Sequence, residues 1–424
     1  MKNASDVQFI GMRGPSRRRS FSVAGMVEYN ENCSDGVLCN STHILLGISG
    51  SIAAYKTPEL VRLFKQKGWS VRTIATDSAL RFVSPLSLET VSEAPVLMPS
   101  TYFSGTIPHL TQDRHASVFV LAPATANIIA KCAHGIADDP VSSSFLAFTG
   151  VKVIVPAMHT EMWVNPITQA NVARLRELGV MVFGPASGEL SCGDRGVGRM
   201  IDLALIVHGV EAIISGQTRL ASKRVLITVG GTRESIDNMR VLTNLSTGKL
   251  GWYLAHTAAL FGAKVGVIST VPTSMDNPHL EFVDRVNSVS EMQAALHHHI
   301  LNTDTLIMAA AVSDFTVVRQ DSKIKREGDT ALKLIKTPDL LKSLEPVKGH
   351  RQFIGFCLED EELLVSAKRK LQAKNLDYIV ANSSQAVGAD TRSVYILSRI
   401  TDDVVSLEDA GLSDITKTLL ALIF

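Results

Sequence analysis

A β-branched run, Val225–Val229, ends in the glycine pair Gly230–Gly231. A loop rich in Thr, Arg, Asn and Ser follows, and a helical pattern opens at Gly248–Lys249. Strand, glycine turn and helix start make the local geometry that holds a phosphate, because free backbone N–H groups and the helix dipole converge there. A similar opening already occurs at His43–Arg62, HILLGISGSIAAYKTPELVR. Two such openings constrain the chain to two α/β domains in series. Length agrees, since 424 residues exceed one ordinary core and two domains of roughly 180–200 residues are the natural division.

Charge and cysteine usage narrow the partners. A formal net charge of +1 gives no reason to expect nucleic acid or an anionic membrane. No uninterrupted apolar run approaches the ~18–20 residues that span a bilayer. The five cysteines (33, 39, 132, 192 and 357) are scattered, odd in number and without a CxxC pair. That pattern excludes a disulfide framework or zinc site and fits a reducing, cytoplasmic setting. Residues 1–41 hold Arg17-Arg18-Arg19 among Ser and Gly without periodicity and read as a disordered extension. The domains expected are then 42–215 and 225–424, joined by the polar linker 216–224.

In the first half, strand-like runs at His43–Ile48, Ser70–Ala75, Val118–Leu121, Val151–Val155 and Val180–Phe183 alternate with helical patterns at Ile52–Gln66, Ala126–Ala133 and Ile201–Ile214. Alternation of this kind predicts a doubly wound, Rossmann-like parallel sheet with helices on both faces and ligands at the carboxyl ends of the strands. The first loop, Gly47-Ile48-Ser49-Gly50-Ser51, is not GxGxxG, although Asp77 stands where a ribose-binding acid would. Hydroxyls dominate instead: Ser49, Ser51, Thr76, Ser78 and Thr125. Such loops at helix starts suit a terminal monophosphate; each is equally a simple helix cap.

The stretches GISGSIAAYKTPELVR, SPLSLET, LAPATAN, VPAMHTEMW and CGDRGVGRM resemble the flavin-containing cysteine decarboxylases, over about His43–Ile206. The resemblance implies FMN against Gly50, Ser51, Thr76, Ser78, Thr125, Asn127 and Ala157, and 4'-phosphopantothenoylcysteine as substrate. It further implies His109 as the active-site histidine and Cys192, on a substrate-covering loop, as proton donor to an enethiol. One position departs from the family: its usual Pro-x-Met-Asn is here Pro156-Ala157-Met158-His159. Histidine also donates a hydrogen bond to a carboxylate, so His159 is expected to take the asparagine's part. The alternative is a half that has lost decarboxylation. Cys132, on an apolar helix face, reads as core.

From Val225 the α/β alternation restarts, with strands at Val225–Val229, Lys264–Ile268, Thr305–Met308, Phe353–Phe356 and Tyr378–Val380, helices at Lys249–Phe261, Val289–Leu301 and Glu361–Lys374, and a hairpin around Val394–Leu397 and Val404–Val405. Basic residues fall beside turns or on one helical face, with Lys370 and Lys374 spaced i, i+4. Lysines near glycine turns meet the charge of a triphosphate with Mg²⁺, yet no Walker A motif is present. Gly230-Gly231-Thr232-Arg233-Glu234, Asn244-Leu245-Ser246-Thr247-Gly248-Lys249, Ala309-Ala310-Ala311-Val312-Ser313-Asp314, Lys323-Ile324-Lys325 and Lys336-Thr337-Pro338-Asp339 resemble phosphopantothenate–cysteine ligase. The resemblance implies CTP contacts at Ala310, Ala311, Asp314, Lys323, Pro338, Asp339, Leu340, Leu341, Phe356, Lys370 and Lys374, with Asn244 and Arg240 at the acyl-cytidylate. The metal ligands are unknown. His297-His298-His299 reads as solvated surface, because consecutive helical residues point about 100° apart.

Together these readings give a bifunctional enzyme that ligates 4'-phosphopantothenate to cysteine and decarboxylates the product to 4'-phosphopantetheine. The family implies a homo-oligomer with trimeric decarboxylase and dimeric ligase contacts, up to a dodecamer. Two rival readings are a flavin-binding regulatory protein, disfavoured by the intact ligase motifs, and a dinucleotide-dependent oxidoreductase, disfavoured by the missing GxGxxG. A flavin spectrum separates the last from the rest.

Overall fold

The computed structural model describes residues 8–9, 42–102, 116–189, 195–217, 220, 222–272, 277–325, 331–359, 361–383, 391–401 and 403–424. His109 and Cys192 lie outside these residues. So does the 1–41 extension, except strand β1, Gln8–Phe9. Two compact units divide the chain between Thr218 and Arg219, the first also taking Ser274–His279 and the second β1.

The first unit is a parallel sheet of β2 (His43–Ile48), β3 (Ser70–Ala75), β4 (Val118–Ala124), β5 (Val151–Pro156) and β6 (Met181–Val182), in the order β3-β2-β4-β5-β6. β4 is buried along its whole length, as a strand covered on both faces must be. Leu45, Phe119, Leu121, Ile129, Phe145, Ile154 and Val172 form one core, with Phe119 edge-on to Phe145 at 5.5 Å. The helical pattern expected from Ile52 starts instead as a 3-10 turn, Ile52–Lys56, and becomes α-helical only over Thr57–Gln66. Pro58 explains the change, since a ring without an N–H is tolerated only in the first turn. Helices at Pro85–Ser92, Pro140–Ala147 and Pro166–Glu177 were not expected, and each also starts on a proline. An antiparallel hairpin, β7 (Ala186–Glu189) and β8 (Arg195–Arg199), flanks residues 190–194.

The second unit begins with β9 (Arg224–Val229) and the small hairpin β10 (Arg233–Ser235) and β11 (Val241–Thr243). Its large sheet adds β12 (Lys264–Ser269), β13 (Leu280–Arg285) and β14 (Thr305–Met308). A two-stranded pair, β15 (Phe315–Thr316) and β16 (Ile335–Lys336), stands apart. The sheet continues through β17 (Gln352–Leu358), β18 (Tyr378–Asn382), β19 (Thr391–Ser398) and β20 (Val404–Gly411). The spatial order is β13-β12-β9-β14-β17-β18, all parallel, followed by antiparallel β19, β20 and β1. β13 escaped the sequence reading because none of its six residues is fully buried, so an outer strand shows no apolar run. The terminal helix Leu412–Ile423, also unforeseen, buries Ile415, Leu419 and Leu420. Both units are therefore doubly wound α/β folds.

Candidate functional sites

In the first sheet the chain starts at β2, steps outward to β3, then crosses to β4 on the other side. Open parallel sheets hold ligands at that reversal, outside the carboxyl ends of the two strands. A cavity of about 530 Å³ opens there, and Gly50, Ser51, Thr76, Ser78, Thr125, Asn127 and Ala157 all line it. The side chain of Ser49, 2% exposed, ties the two loops together: its hydroxyl donates to the Pro123 carbonyl (2.8 Å) and accepts from the Thr125 N–H (3.0 Å). Ser51 accepts from the Ala53 N–H at 3.4 Å and Thr125 from the Ile128 N–H at 3.4 Å. The hydroxyls are thus helix caps and also cavity walls. Gly50 allows the close approach of its loop to the next, since a Cβ there would stand 2.3 Å from the Ser78 Cβ.

The same cavity is lined by Asp77, Ile128, Lys131, Asp138, Asp139, Pro140, Met158 and Met162. Of these the sequence points to Asp77 and, within the stretch VPAMHTEMW, to Met158 and Met162. Lys131 was legible in principle: it follows Asn127 by four residues on one helix, and that spacing shares a face. His159 is not among the residues lining the cavity, but in the chain it falls between two that are, Met158 and Met162. It occupies the cap position of the short helix Thr160–Val164, and its Nδ1 pairs with the Glu161 carboxylate. The hairpin stem packs on this loop, with the Met158 N–H donating to the Gly198 carbonyl at 3.0 Å. His109 and Cys192 cannot be located among the described residues. Cys132 is buried, and burial pushes its thiol up to about 12, as a core cysteine requires.

In the second sheet the reversal lies between β9 and β14. Ala311 there donates its N–H to the Gly230 carbonyl (2.7 Å) and accepts from the Thr232 N–H (3.3 Å). A cavity of about 170 Å³ is lined by Ser246, Gly248, Lys249, Gly251, Ala310, Ala311, Phe356, Asn382 and Arg392, among others. Asn244 donates its amide N–H to the Val312 carbonyl at 3.1 Å. Its backbone passes so close to Gly231 that a Cβ on that glycine would stand 2.6 Å from the Asn244 carbonyl oxygen. Gly248, with φ of +71°, starts the helix Lys249–Leu260.

The remaining expected residues fall into three connected groups. Arg240 binds the Asp237 carboxylate (2.9 Å) and the Ile324 carbonyl (3.2 Å), so the segment carrying Lys323 is fastened to the Arg240 turn. The Ile324 N–H, helped by those of Met239 and Arg240, holds the Asp237 carboxyl below the usual carboxylate range. Asp314 accepts the Thr337 N–H through its carbonyl (3.0 Å), which brings it beside Pro338 and Asp339. Asp339 caps the helix Leu340–Leu344 and pairs with Lys374 at 3.1 Å, while Lys370 pairs with Glu359 at 2.7 Å.

Leu340 and Leu341, in the first turn of the helix Leu340–Leu344, are 3% and 8% exposed and pack in the core with Phe353 and Leu344. One expectation needs correction. The histidine triplet is not all solvated surface. His299 turns inward, stacks on Phe282 at 4.0 Å and binds Asp284 at 2.7 Å, because the third residue of the run falls on the helix face toward β13. Among the described residues no group of three or more His, Cys, Asp or Glu is arranged to hold a metal ion.

Fold and cavities define a chain with a flavodoxin-type strand order in its first half and a dinucleotide-type order in its second. Family models agree on the division. Residues 36–215 match the Flavoprotein family and residues 220–424 the DNA/pantothenate metabolism flavoprotein C-terminal domain. The Escherichia coli (strain K12) protein described as "Coenzyme A biosynthesis bifunctional protein CoaBC" is 37% identical over 381 residues, covering 86% of this chain and 93% of that protein. The Bacillus subtilis (strain 168) protein of the same description is 39% identical over 371 residues, covering 85% and 91%. The chain belongs to this family of bifunctional coenzyme A biosynthesis proteins. Among solved structures, a crystal structure of the C-terminal domain of CoaBC is 33% identical, with a TM-score of 0.42, covering 48% of this chain and 95% of its own.

Proposed function

We infer that the chain is a bifunctional enzyme of coenzyme A biosynthesis. Its second unit is a CTP-dependent phosphopantothenate–cysteine ligase and its first an FMN-dependent phosphopantothenoylcysteine decarboxylase. The observation that carries the reading is the convergence of all seven expected flavin-facing residues on one cavity at the strand-order reversal. The wall of that cavity fits an FMN. It offers hydroxyls at helix starts for a phosphate and the apolar surfaces of Ile128, Pro140, Met158 and Met162 for an aromatic ring system.

FMN, when bound, supplies two-electron chemistry at the cysteinyl thiol, which gives the electrons left by departing CO2 somewhere to go. The chain's own residues bind and orient. Ser51, Thr76, Ser78 and Thr125 hold the polar part of the cofactor, and Gly50 keeps the loops close enough to do so. His159 donates a hydrogen bond to the substrate carboxylate, and its pairing with Glu161 orients the ring for that part. Cys192 returns the proton that completes the enethiol's reduction.

In the second unit the carboxylate of 4'-phosphopantothenate attacks the α-phosphorus of CTP and pyrophosphate leaves. The cysteine amine then attacks the mixed anhydride, and CMP leaves. Asn244 and Arg240 line the acyl-activation step, while Lys323, Lys370 and Lys374 neutralise phosphate charge. Lys370 and Lys374 each already pair with a carboxylate, so phosphates would have to compete for them. Mg²⁺ enters with the phosphates, which commonly supply most of its protein-side ligation. The enzyme works in the cytoplasm as a homo-oligomer, with the trimeric decarboxylase and dimeric ligase contacts that the family resemblance implies.

The test is one coupled assay with CTP, Mg²⁺, cysteine and phosphopantothenate that follows pyrophosphate and CO2 separately. Both products should form, in that order. Pyrophosphate without CO2, from flavin-loaded protein, would reduce the chain to a ligase with an inactive first half.

A further inference from the structure

Besides Asp77, three charged residues of the flavin cavity have no part in the account so far. Lys131 lies on the helix Ala126–His134, which ends at Gly135 with φ of +70°. The reversal there brings the chain back, so that the Lys131 ammonium stands 2.6 Å from Asp138 and 2.9 Å from Asp139. Asp139 is fixed by a second task, accepting the Ser142 N–H at 2.9 Å to cap the next helix. Asp138 is more open, with its side chain 58% exposed. All three residues line the cavity.

Lys131 and Asp138 are both ionised at neutral pH. Burial works against the Lys131 cation, but its hydrogen bonds to Asp138 and Asp139 outweigh it and hold the group above the ordinary lysine value. The Lys131 hydrogen bond in turn holds the Asp138 carboxyl below its ordinary value. Fixed charges of both signs therefore share one cavity with the ligand.

We propose that Lys131, clamped between Asp138 and Asp139, sets the reduction potential of the flavin held in this cavity, its cation favouring the reduced flavin and Asp138 opposing it. The proposal rests on the flavin reading above. Reduction adds electron density to the ring system, so a nearby cation stabilises the reduced form and a nearby anion destabilises it. A flavin that must take two electrons from a thiol and return them in the same turnover needs a potential near that of the substrate couple. A lysine balanced against carboxylates is a means of holding it there, because neither sign acts alone. One unit charge at cavity distance, at the effective dielectric of protein sites, corresponds to about a tenfold change in the ratio of reduced to oxidised flavin bound. For a two-electron couple that is about 30 mV.

The experiment is an anaerobic redox titration of full-length, FMN-loaded protein against reference dyes. Lys131→Met should lower the midpoint by about 30 mV, Lys131→Arg should restore it, and Asp138→Asn should raise it. Should Lys131→Met fail to fold, Asp138→Asn decides alone, because that residue caps no helix and is largely exposed. Midpoints unchanged in both variants, or moved in the same direction, overturn the proposal while leaving the flavin reading intact. Wild-type protein that takes up no FMN overturns both.

Discussion

At Gly231 it is backbone that crowds the glycine in the ligase site. In Gly231→Ala the new Cβ would lie 2.6 Å from the Asn244 carbonyl oxygen, and ordinary contact begins at 3.4 Å. One side must retreat by about 0.8 Å for the contact to become an ordinary one. The obstacle is backbone, so no side-chain rotation relieves it. Gly231 is also held on its other side, bridged to Ala311. The strain must therefore move the Asn244 turn, which carries the residue assigned to the acyl-cytidylate. A misplacement of about 1 Å in a positioning element costs about 100-fold in rate, equal to about 2.7 kcal/mol of transition-state stabilisation. Pyrophosphate release from CTP and phosphopantothenate, as kcat/KM, should fall by about that factor. CO2 release from phosphopantothenoylcysteine, measured on the same preparation, should stay at the wild-type rate, because Gly231 belongs to the second unit. Ligation within threefold of wild type would refute the reasoning.

Other outcomes are as specific. Gly50→Ala would push a Cβ to 2.3 Å from the Ser78 Cβ; the purified variant should carry at most about a tenth of the wild-type flavin absorbance per chain, the effect of losing roughly 1.4 kcal/mol of binding at sub-saturating cofactor. His159→Asn should keep or raise CO2 release, since asparagine also donates to a carboxylate; complete loss of that activity would sink the equivalence. His256 is buried in the helix Lys249–Leu260, and burial depresses its imidazole to about 4, against 6.5 when unfolded. Its contribution to stability is therefore whole above about pH 6.5, and declines as pH falls toward 4 because only the unfolded chain takes up the proton, by an amount on the order of 3 kcal/mol. The urea midpoint of wild type should fall relative to that of His256→Leu as the pH drops from 7 to 4; a constant difference between the two curves would exclude His256 as the source.

Much of the candidate site was legible before any coordinates. The hydroxyl-rich loops after β2, β3 and β4 announced themselves because small polar residues break an apolar run where a helix must be capped. The β9 turn was legible because Gly230 and Gly231 stand where any side chain would collide. Other parts left no local mark. The side chains of Leu340 and Leu341 pack in the core, which no local pattern marks, because a motif specifies which residues come near a ligand and not which way each side chain turns. His299 reads as surface from its run of three but stacks on Phe282, a partner on a strand that itself lacks an apolar run. Lys131, Asp138 and Asp139 are neighbours in the chain, yet their convergence depended on the reversal at Gly135.

Periodicity alone determined that this chain makes two α/β units, because alternating β-branched runs and helical patterns record which faces must be buried. It also determined which loops carry glycine and hydroxyl side chains. Strand order was decided only by tertiary structure. The first sheet runs β3-β2-β4-β5-β6 and the second β13-β12-β9-β14-β17-β18, and nothing local distinguishes these arrangements. They depend on which strands find one another across long connections, and that choice sets where the order reverses. It is the reversal that brings Ser49 to Thr125 and Gly230 to Ala311, turning separate loops into the two places where ligands can be held.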